Sequence, residues 1–256
     1  MAIELSPVED GDWRTITDVN MDTFHEHEHP VIDIMFPHHH TPAGRDIMAR
    51  RLQQTAKSDA SGHHLKLTDT AAGKIIGQGR WAIVPPQPGN EYPAPVISGD
   101  YWASEEDVEF ANWCIGAYTA FRRRKFREAT RPVFAITSLT VLPEYEGRGA
   151  GSMFVRWGTE QADAIGSECI VESGIRAESF YAKHGFERIE HVHWPPPEKW
   201  RHYGTQEVPM YIFLSGERIM LIRLSGDHDN FDFRKPEGGV AKPENRLNMP
   251  RNPRLI

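Results

Sequence analysis

Apolar residues recur along this chain with two different periods, and their order predicts a mixture of strands and helices. Ile3 and Leu5 alternate with polar neighbours, which indicates a short first strand. Helical spacing follows at residues 13–24 and 45–57. Two β-rich runs at 64–67 and 74–84 then predict a hairpin, because the connection DTAAG has the composition of a turn.

Strands and helices are also predicted in the second half of the chain. A helix begins at Ser104, whose hydroxyl suits an N-cap and is followed by three acidic residues. The basic cluster RRRK at 122–125, with Arg127, closes this predicted helix and is interpreted as a solvated helix end. Strands are predicted at 133–142, 169–172, 186–193 and, once or twice, within 208–223, and helices at 151–165 and 177–184.

Three segments lack this periodicity. The stretch 25–41 is rich in His and Pro and predicts a loop, and 85–101 is rich in Pro and Gly and predicts an inserted loop. Residues 226–256 are polar, Pro-rich and of mixed charge, which predicts a loosely held tail.

Composition excludes some classes of function. The net charge of -7 argues against general nucleic-acid binding, which needs a basic surface. Two cysteines, Cys114 and Cys169, offer no disulfide framework and suit a reducing compartment. The first residues show no secretory signal, and no apolar run approaches the roughly 20 residues of a membrane span. We therefore expect a cytoplasmic protein without a membrane or nucleic-acid partner.

The strand–turn–helix SLTVLPEYEGRGAGSMFVRW at 138–157 is the most informative motif. Glycines 147, 149 and 151 allow successive backbone N–H groups to converge at a helix N-terminus, an arrangement that binds phosphate or pyrophosphate. A P-loop is disfavoured because no Gly-Lys-Ser/Thr follows. A dinucleotide-binding turn would need a third glycine at Ser152, although Glu172 lies at about the spacing of its acidic residue and keeps this alternative open.

The segment PEYEGRGAG at 143–151 resembles the cofactor turn of the GNAT superfamily, Gln/Arg-x-x-Gly-x-Gly/Ala. It departs from that pattern at Glu146, where the family usually has Gln or Arg. A second segment, FYAKHGF at 180–186, is similar to the family's Leu/Phe-Tyr-x-Lys-x-Gly-Phe, and the hairpin ending in GKIIGQGRWAIV is similar to its second and third strands. The chain resembles elaborated members common in fungi.

This resemblance implies an α/β protein with the GNAT fold. Such a fold has a central, mostly antiparallel sheet of six or seven strands, helices on both faces, and parallel strands that splay apart at the coenzyme A cleft. The implied domain covers 1–225, with an insertion at about 85–131, followed by the tail at 226–256. The implied activity is acetyl transfer from acetyl-CoA to the amine of a small molecule, by direct attack while both are bound.

The resemblance also assigns site residues. The backbone of Leu139, Thr140 and Val141 would pair with the pantetheine arm. The pyrophosphate would lie on the amides of the turn and the helix start, with a charge-assisted contact from the arginine: Gly147, Arg148, Gly149, Ala150, Gly151 and Ser152.

Tyr181 is the implied general acid that protonates the departing thiolate. For the base that receives the amine proton, the best-placed carboxylate is Glu172 on the predicted strand 169–172. His193, Asp33 and water remain alternatives.

Two other functions remain open. One is a GNAT-like protein that binds acyl-CoA without transferring the acyl group, which Glu146 and the lack of a carboxylate on the cofactor strand favour. The other is a metalloenzyme built on the histidines at 25, 27, 29 and 38–40. A flexible polar loop accounts better for these histidines, so no metal site is predicted. The acceptor could be a small amine, a polyamine, an amino-acid derivative or a protein lysine, and the oligomeric state is not predicted.

Overall fold

The computed structural model describes residues 2–25, 30–99, 101–192, 196–203 and 210–215, and these contain seven strands and seven α-helices. The strands are β1 (Ile3–Pro7), β2 (Gly62–Asp69), β3 (Lys74–Val84), β4 (Val133–Val141), β5 (Cys169–Ser173), β6 (Glu187–Val192) and β7 (Met210–Ser215). The helices are α1 (Trp13–His25), α2 (Pro30–Met35), α3 (Pro42–Ser58), α4 (Glu105–Tyr118), α5 (Ala120–Glu128), α6 (Ala150–Ala164) and α7 (Glu178–Ala182). None of the described helices is both long and apolar enough to cross a membrane.

All seven strands form one sheet in the order β1-β2-β3-β4-β5-β7-β6. Each neighbouring pair is antiparallel except β4 with β5, which is parallel. The predicted fold class is confirmed: a mixed, mostly antiparallel sheet with helices on both faces.

Alternating side chains of the central strands divide the core between the two faces. On one face, the ring of Phe154 from α6 packs with Trp81 and Phe134. On the opposite face, Phe121 from α5 packs with Ala82 and Ala135. Helix α1 lies on this second face as well, and its Asn20 joins Gln78 of β3 and Thr140 of β4 in a buried hydrogen-bonded cluster.

Helix α6 approaches β3 closely because a glycine lies opposite each of two large rings. A Cβ added at Gly158 would lie 2.3 Å from the Trp81 ring, and one added at Gly79 would lie 2.4 Å from the Phe154 ring. The two rings stack at 5.8 Å between centroids, and Trp81 Nε1 donates to the Phe154 carbonyl at 3.1 Å. These contacts position α6 and therefore its N-terminus.

Strands β4 and β5 pair over a short distance and then separate. Their parallel register covers only Phe134–Cys169, Ala135–Ile170 and Ile136–Val171. At the next residue β4 bulges, because Arg80 and Trp81 of β3 oppose Ser138 and Ile136, which leaves Thr137 as the extra residue. The gap between residues 137–141 of β4 and residues 172–173 of β5 is called the cleft below, and it corresponds to the predicted splay.

The predicted loop at 25–41 is partly wrong, because α2 occupies Pro30–Met35. Helix α3 also begins earlier than predicted. Thr41 caps it by accepting a hydrogen bond from the Gly44 N–H, and Pro42 occupies its first turn. Residues 26–29, which include His27 and His29, lie outside the described residues.

The single helix predicted from Ser104 through the basic cluster is in fact two helices. The capping prediction is confirmed, since Ser104 Oγ accepts from the Asp107 N–H. The break comes at Thr119, whose N–H and hydroxyl both donate to the carbonyl of Ile115. Helix α4 then forms a second small core with α2 and the 3₁₀ turn Glu198–Tyr203, through the buried side chains Met35, Phe110, Cys114 and Trp200.

The basic cluster is not simply a solvated helix end, and this prediction is wrong for Arg122. Its side chain is 10% exposed and pairs with Glu172 of β5, whose side chain is 1% exposed. Arg122 Nε lies 2.9 and 3.0 Å from the two carboxylate oxygens, and Nη2 lies 2.6 Å from Oε2. Burial disfavours the charge of Arg122, but attraction to Glu172 outweighs it, so the pKa of Arg122 is raised. The sequence could not reveal this partner, 50 residues away.

The packing of α6 predicts that Gly158→Ala destabilises the protein. In a helix interior without such packing, alanine is more stable than glycine by roughly 0.5–1 kcal/mol. The added methyl would overlap the Trp81 ring, which is fully buried and has no room to move. We expect the free energy of unfolding in urea to fall by about 2 kcal/mol or more. The control is Gly11→Ala, where an added Cβ meets no atom within 4 Å. Equal stability of the two variants would contradict the close packing.

The buried ion pair predicts that Glu172→Gln destabilises the protein, because Arg122 would remain buried without a charged partner. We expect a loss of about 3 kcal/mol or more in denaturant unfolding. Glu190→Gln is the matched control: Glu190 pairs with Arg124 on the same helix, but both side chains are more than 40% exposed, at 44% and 49%. Its loss should stay below about 1 kcal/mol. Similar losses of unfolding free energy in both variants would show that the Arg122–Glu172 pair is not desolvated.

Candidate active site

The glycine turn and the start of α6 form a concave group of backbone amides. Gly147 and Gly149 adopt φ of 70° and 88°, a region that favours glycine. Gly149 is the N-cap of α6 and makes no side-chain capping bond. The first-turn amides of Ala150, Gly151 and Ser152 have no acceptor within the helix, and the helix dipole favours an anion in front of them. This geometry is the one that the sequence predicted for a phosphate site.

The turn is held against the sheet on its other side. The Leu142 N–H donates to the Ile76 carbonyl at 2.9 Å, and the Leu142 side chain is buried. The Tyr145 ring lies 5.3 Å from Lys74 Nζ and 5.2 Å from Arg148 Cζ. Arg148 thus lies at the exposed rim of the turn, next to the amides.

Glu146, the residue that departs from the family pattern, is exposed and extended, with φ of −62° and ψ of 158°. It directly precedes Gly147. Its carboxylate is therefore accessible to solvent, which weakens its repulsion of a bound anion compared with a buried charge.

The two motifs found in the sequence meet in space. A Cβ added at Gly151 would lie 3.1 Å from the Phe180 ring and 4.0 Å from Leu139, so α7 and β4 both border the start of α6. His184 Nε2 lies 3.0 Å from Ser152 Oγ. Burial, with the nearby cations Arg156 and Lys183, lowers the pKa of His184. His184 therefore lies beside the first turn of α6, with Arg156 and Lys183 close enough to act on its ring.

The three predicted residues of β4 lie along the cleft. Leu139 and Val141 pack partly buried against the core on the α6 side. The Thr140 side chain lies on the opposite face, where its hydroxyl accepts from Gln78 at 3.0 Å and donates to Asn20 at 2.8 Å. Beyond Ile136, no described strand pairs with the β5-facing edge of β4, so its backbone groups are left for another partner.

Tyr181 lies on α7 and is 4% exposed, with its ring between Phe180 and Phe186. Its hydroxyl hydrogen-bonds to Ser173, the last residue of β5, at the end of the cleft. Burial raises the pKa of Tyr181 well above its usual value, and the nearby Tyr118 raises it further. The phenol is therefore protonated at neutral pH.

The candidate bases do not converge on one point. Glu172 is at the cleft end of β5, but both of its oxygens bind Arg122. Asp33 lies on α2 with its side chain 74% exposed and pairs with His39 at 2.7 Å. His193 lies outside the described residues.

The histidine cluster is only partly described. Among the residues that the structure describes, no group of three or more His, Cys, Asp or Glu side chains is placed to hold a metal ion. His38, with φ of 64°, and His39 lie in the turn between α2 and α3.

Sequence reasoning missed Tyr118, at the C-terminal end of α4. Arg122 Cζ lies 5.3 Å from its ring, and Arg122 also hydrogen-bonds to its hydroxyl. Burial raises the pKa of Tyr118. No signal in the sequence distinguished it from the other aromatic residues on that helix.

Comparisons with known proteins agree with this architecture. Residues 98–188 match the family model of the acetyltransferase (GNAT) domain. A search of curated proteins finds no match.

Solved structures supply the fold comparison. A mosquito arylalkylamine N-acetyltransferase-like protein (5b) has a TM-score of 0.57 at 13% identity, covering 84% of this chain and 100% of its own. The polyamine N-acetyltransferase of Drosophila melanogaster, which forms N-acetylagmatine, has a TM-score of 0.54 at 12% identity, covering 84% and 100%. A Corynebacterium glutamicum structure described as histone acetyltransferase HPA2 and related acetyltransferase has a TM-score of 0.52 at 16% identity, covering 84% and 97%.

At these identities the structural likeness concerns the fold alone. The family match adds the segment that contains the glycine turn and the Tyr181 helix. Residues 98–188 are thus similar to the acetyltransferase (GNAT) domain, and the fold of the described residues is similar to that of solved acetyltransferases.

Proposed function

We propose that the protein is an N-acetyltransferase that transfers an acetyl group from acetyl-CoA to the amine of a small molecule. The observation that carries the proposal is the position of the α6 amides beside the cleft. A group bound at Gly149–Ser152 by its phosphates would lie next to Leu139, where the edge of β4 loses its partner. One ligand that combines a pyrophosphate with an extended amide-containing arm is coenzyme A.

The residues present fit that ligand. Backbone N–H groups of residues 150–152 would donate to the pyrophosphate oxygens, and Arg148 at the rim of the turn would add positive charge. Leu139 and Val141 offer backbone hydrogen bonds to the pantetheine amides. When bound, acetyl-CoA supplies an activated acetyl group as its thioester.

Chemistry at the cleft would depend mainly on holding the amine and the thioester together. With acetyl-CoA and an amine both bound, Tyr181 would donate its proton to the sulfur that leaves when the amine displaces it from the thioester carbon. A backbone N–H of β4 polarises the carbonyl.

Glu172 stays the predicted carboxylate base by position, but its contacts with Arg122 argue against that role. A carboxylate that accepts two or more hydrogen bonds from a guanidinium is a weak proton acceptor. We therefore propose that water receives the proton of the incoming ammonium. The binding of Glu172 to Arg122 also favours the rival function, an acyl-CoA-binding protein without transferase activity.

The acceptor is proposed to be a small amine. Structural neighbours described as acting on arylalkylamines and on polyamines share the fold, which makes both kinds of amine the first to screen. We propose no metal, nucleic-acid or membrane partner for this activity.

The cofactor assignment predicts that Gly149→Glu weakens acetyl-CoA binding in calorimetric titration. The variant forces a side chain into a left-handed position and places a negative charge before the α6 amides, so the affinity should fall at least about tenfold. Gly73→Glu is matched, since Gly73 also has a positive φ (62°) and open space around it but lies in the β2–β3 hairpin. The affinity of Gly73→Glu for acetyl-CoA should remain that of the wild type.

Coenzyme A should bind as well, and NAD should not. If the wild type binds neither coenzyme A species, the acyltransferase proposal is wrong. Binding without transfer to any of a broad panel of amines would favour the silent binder instead.

The acid assignment predicts that Tyr181→Phe lowers kcat by about 100-fold while leaving the dissociation constant of acetyl-CoA unchanged. An acid acts only while protonated, so wild-type activity should persist through neutral pH and decline as pH rises toward the raised pKa of Tyr181. The variant should lack that alkaline decline. Because only one oxygen atom is removed, its Tm should stay near that of the wild type. Unchanged turnover would remove Tyr181 from the mechanism.

A further inference from the structure

The inserted helices bring a second phenol to the end of β5. The last two residues of that strand extend beyond its pairing with β4 and direct their side chains to opposite faces. On the α7 face, Ser173 bonds the Tyr181 hydroxyl. On the α5 face, Glu172 bonds Arg122. Tyr118 contacts Arg122 through its ring, 5.3 Å from Arg122 Cζ, and through its hydroxyl, so it lies beside the Arg122–Glu172 pair at the end of β5.

The Arg122 guanidinium fixes the orientation of the Tyr118 hydroxyl. Guanidinium groups only donate hydrogen bonds, so the phenol oxygen is the acceptor in this contact. Arg122 itself is held by three contacts to Glu172 and has little freedom to move. One lone pair of the Tyr118 oxygen is thereby occupied, while the second lone pair and the hydroxyl proton remain for another group.

The two phenols lie on different sides of the reaction. The α6 amides, which are proposed to bind the cofactor phosphates, are on the same face of the sheet as Tyr181. Tyr118 directly precedes the start of α5, whose Phe121 packs on the opposite face of the sheet, and the Tyr118 side chain is partly exposed. A molecule approaching the cleft from that side would meet Tyr118 before it met Tyr181.

We propose that Tyr118 binds the acceptor amine, with its oxygen accepting an N–H of the amine so that the nitrogen lone pair is directed into the cleft. This inference rests on the proposed acetyltransferase function and adds to it a residue that recognises the acceptor. Arg122 and Glu172 are positioning residues in this scheme, because they act on the substrate through Tyr118.

The test compares Tyr118→Phe with Tyr92→Phe. Tyr92 lies in the same inserted segment, is also partly exposed, and donates its hydroxyl to the Pro85 carbonyl at 3.3 Å. Both variants therefore lose one hydrogen-bonded hydroxyl from the insertion. Acetyl transfer is first measured for the wild type with phenethylamine, agmatine, spermidine and lysine amide, by detecting the thiol of released coenzyme A. The amine with the highest kcat/KM then serves as the probe.

Tyr118→Phe should raise the KM of that amine by about tenfold, the loss expected for one hydrogen bond in a desolvated site. The dissociation constant of acetyl-CoA and the Tm should stay at the wild-type values, and Tyr92→Phe should change none of the three. An unchanged amine KM in Tyr118→Phe, or weaker acetyl-CoA binding and a lower Tm with no KM effect, would overturn the inference. If the wild type binds acetyl-CoA but acetylates none of the four amines, both this inference and the proposed small-amine acceptor are contradicted. If the wild type transfers the acetyl group and Tyr118→Phe leaves the KM of the amine unchanged, only this inference is contradicted.

Discussion

The close approach of α6 to the sheet is the constraint on which the candidate site depends. Gly79 gives room to the Phe154 ring, and Gly158 gives room to the Trp81 ring, so each element accommodates a large side chain of the other. The bond from Trp81 Nε1 to the Phe154 carbonyl also fixes the helix along its axis. Because the amides proposed to bind phosphate form the first turn of this helix, the same packing that fills the core determines where an anion would bind. A displacement of α6 by an ångström would move these amides away from Leu139 and the cleft.

The separation of β4 from β5 is the second requirement, and it needs support from outside the two strands. The bulge at Thr137 changes the direction of β4 directly after its last pair with β5, while β3 continues to hold the other edge of β4 as far as Val141. Arg80 donates to the Thr137 hydroxyl at 2.9 Å and so stabilises the bulge. On the far side, the Arg122–Glu172 pair ties α5 to the end of β5. A buried pair of this kind contributes little net stability because both ions lose their hydration, but it fixes geometry at a point where the sheet has no hydrogen bonds of its own.

The shape of the glycine turn, which is proposed to hold the cofactor, was predictable from the sequence, and the surroundings of Arg122 and Tyr118 were not. Recognition of a phosphate by backbone amides requires glycine at positions with positive φ, so Gly147 and Gly149 were visible in the sequence, as were the alternating strands on either side. The break between α4 and α5 at Thr119, where φ is −93° and ψ is 0°, follows no feature of the hydrophobic periodicity. The burial of Arg122 depends on a carboxylate contributed by a distant strand, so local composition suggested solvent instead. The short helix α2 was missed because its neighbourhood is dominated by His and Pro. The domain limits and the roles of the site residues stay predictions.

The two halves of the site also depend on different parts of the sequence. The amides of α6 are proposed to bind phosphate, a group common to many ligands, and their geometry is specified within about ten residues of sequence. Tyr118, Arg122 and the small core around Phe110 and Trp200 all depend on the segment between β3 and β4 and on its contacts with the 3₁₀ turn Glu198–Tyr203. That segment joins two strands that already pair with each other, so its length and sequence can differ without altering the sheet. A tyrosine placed by such a segment can therefore serve acceptor choice without any effect on the cofactor turn. The motif at the glycine turn therefore carries the resemblance to the GNAT domain and leaves the acceptor unspecified.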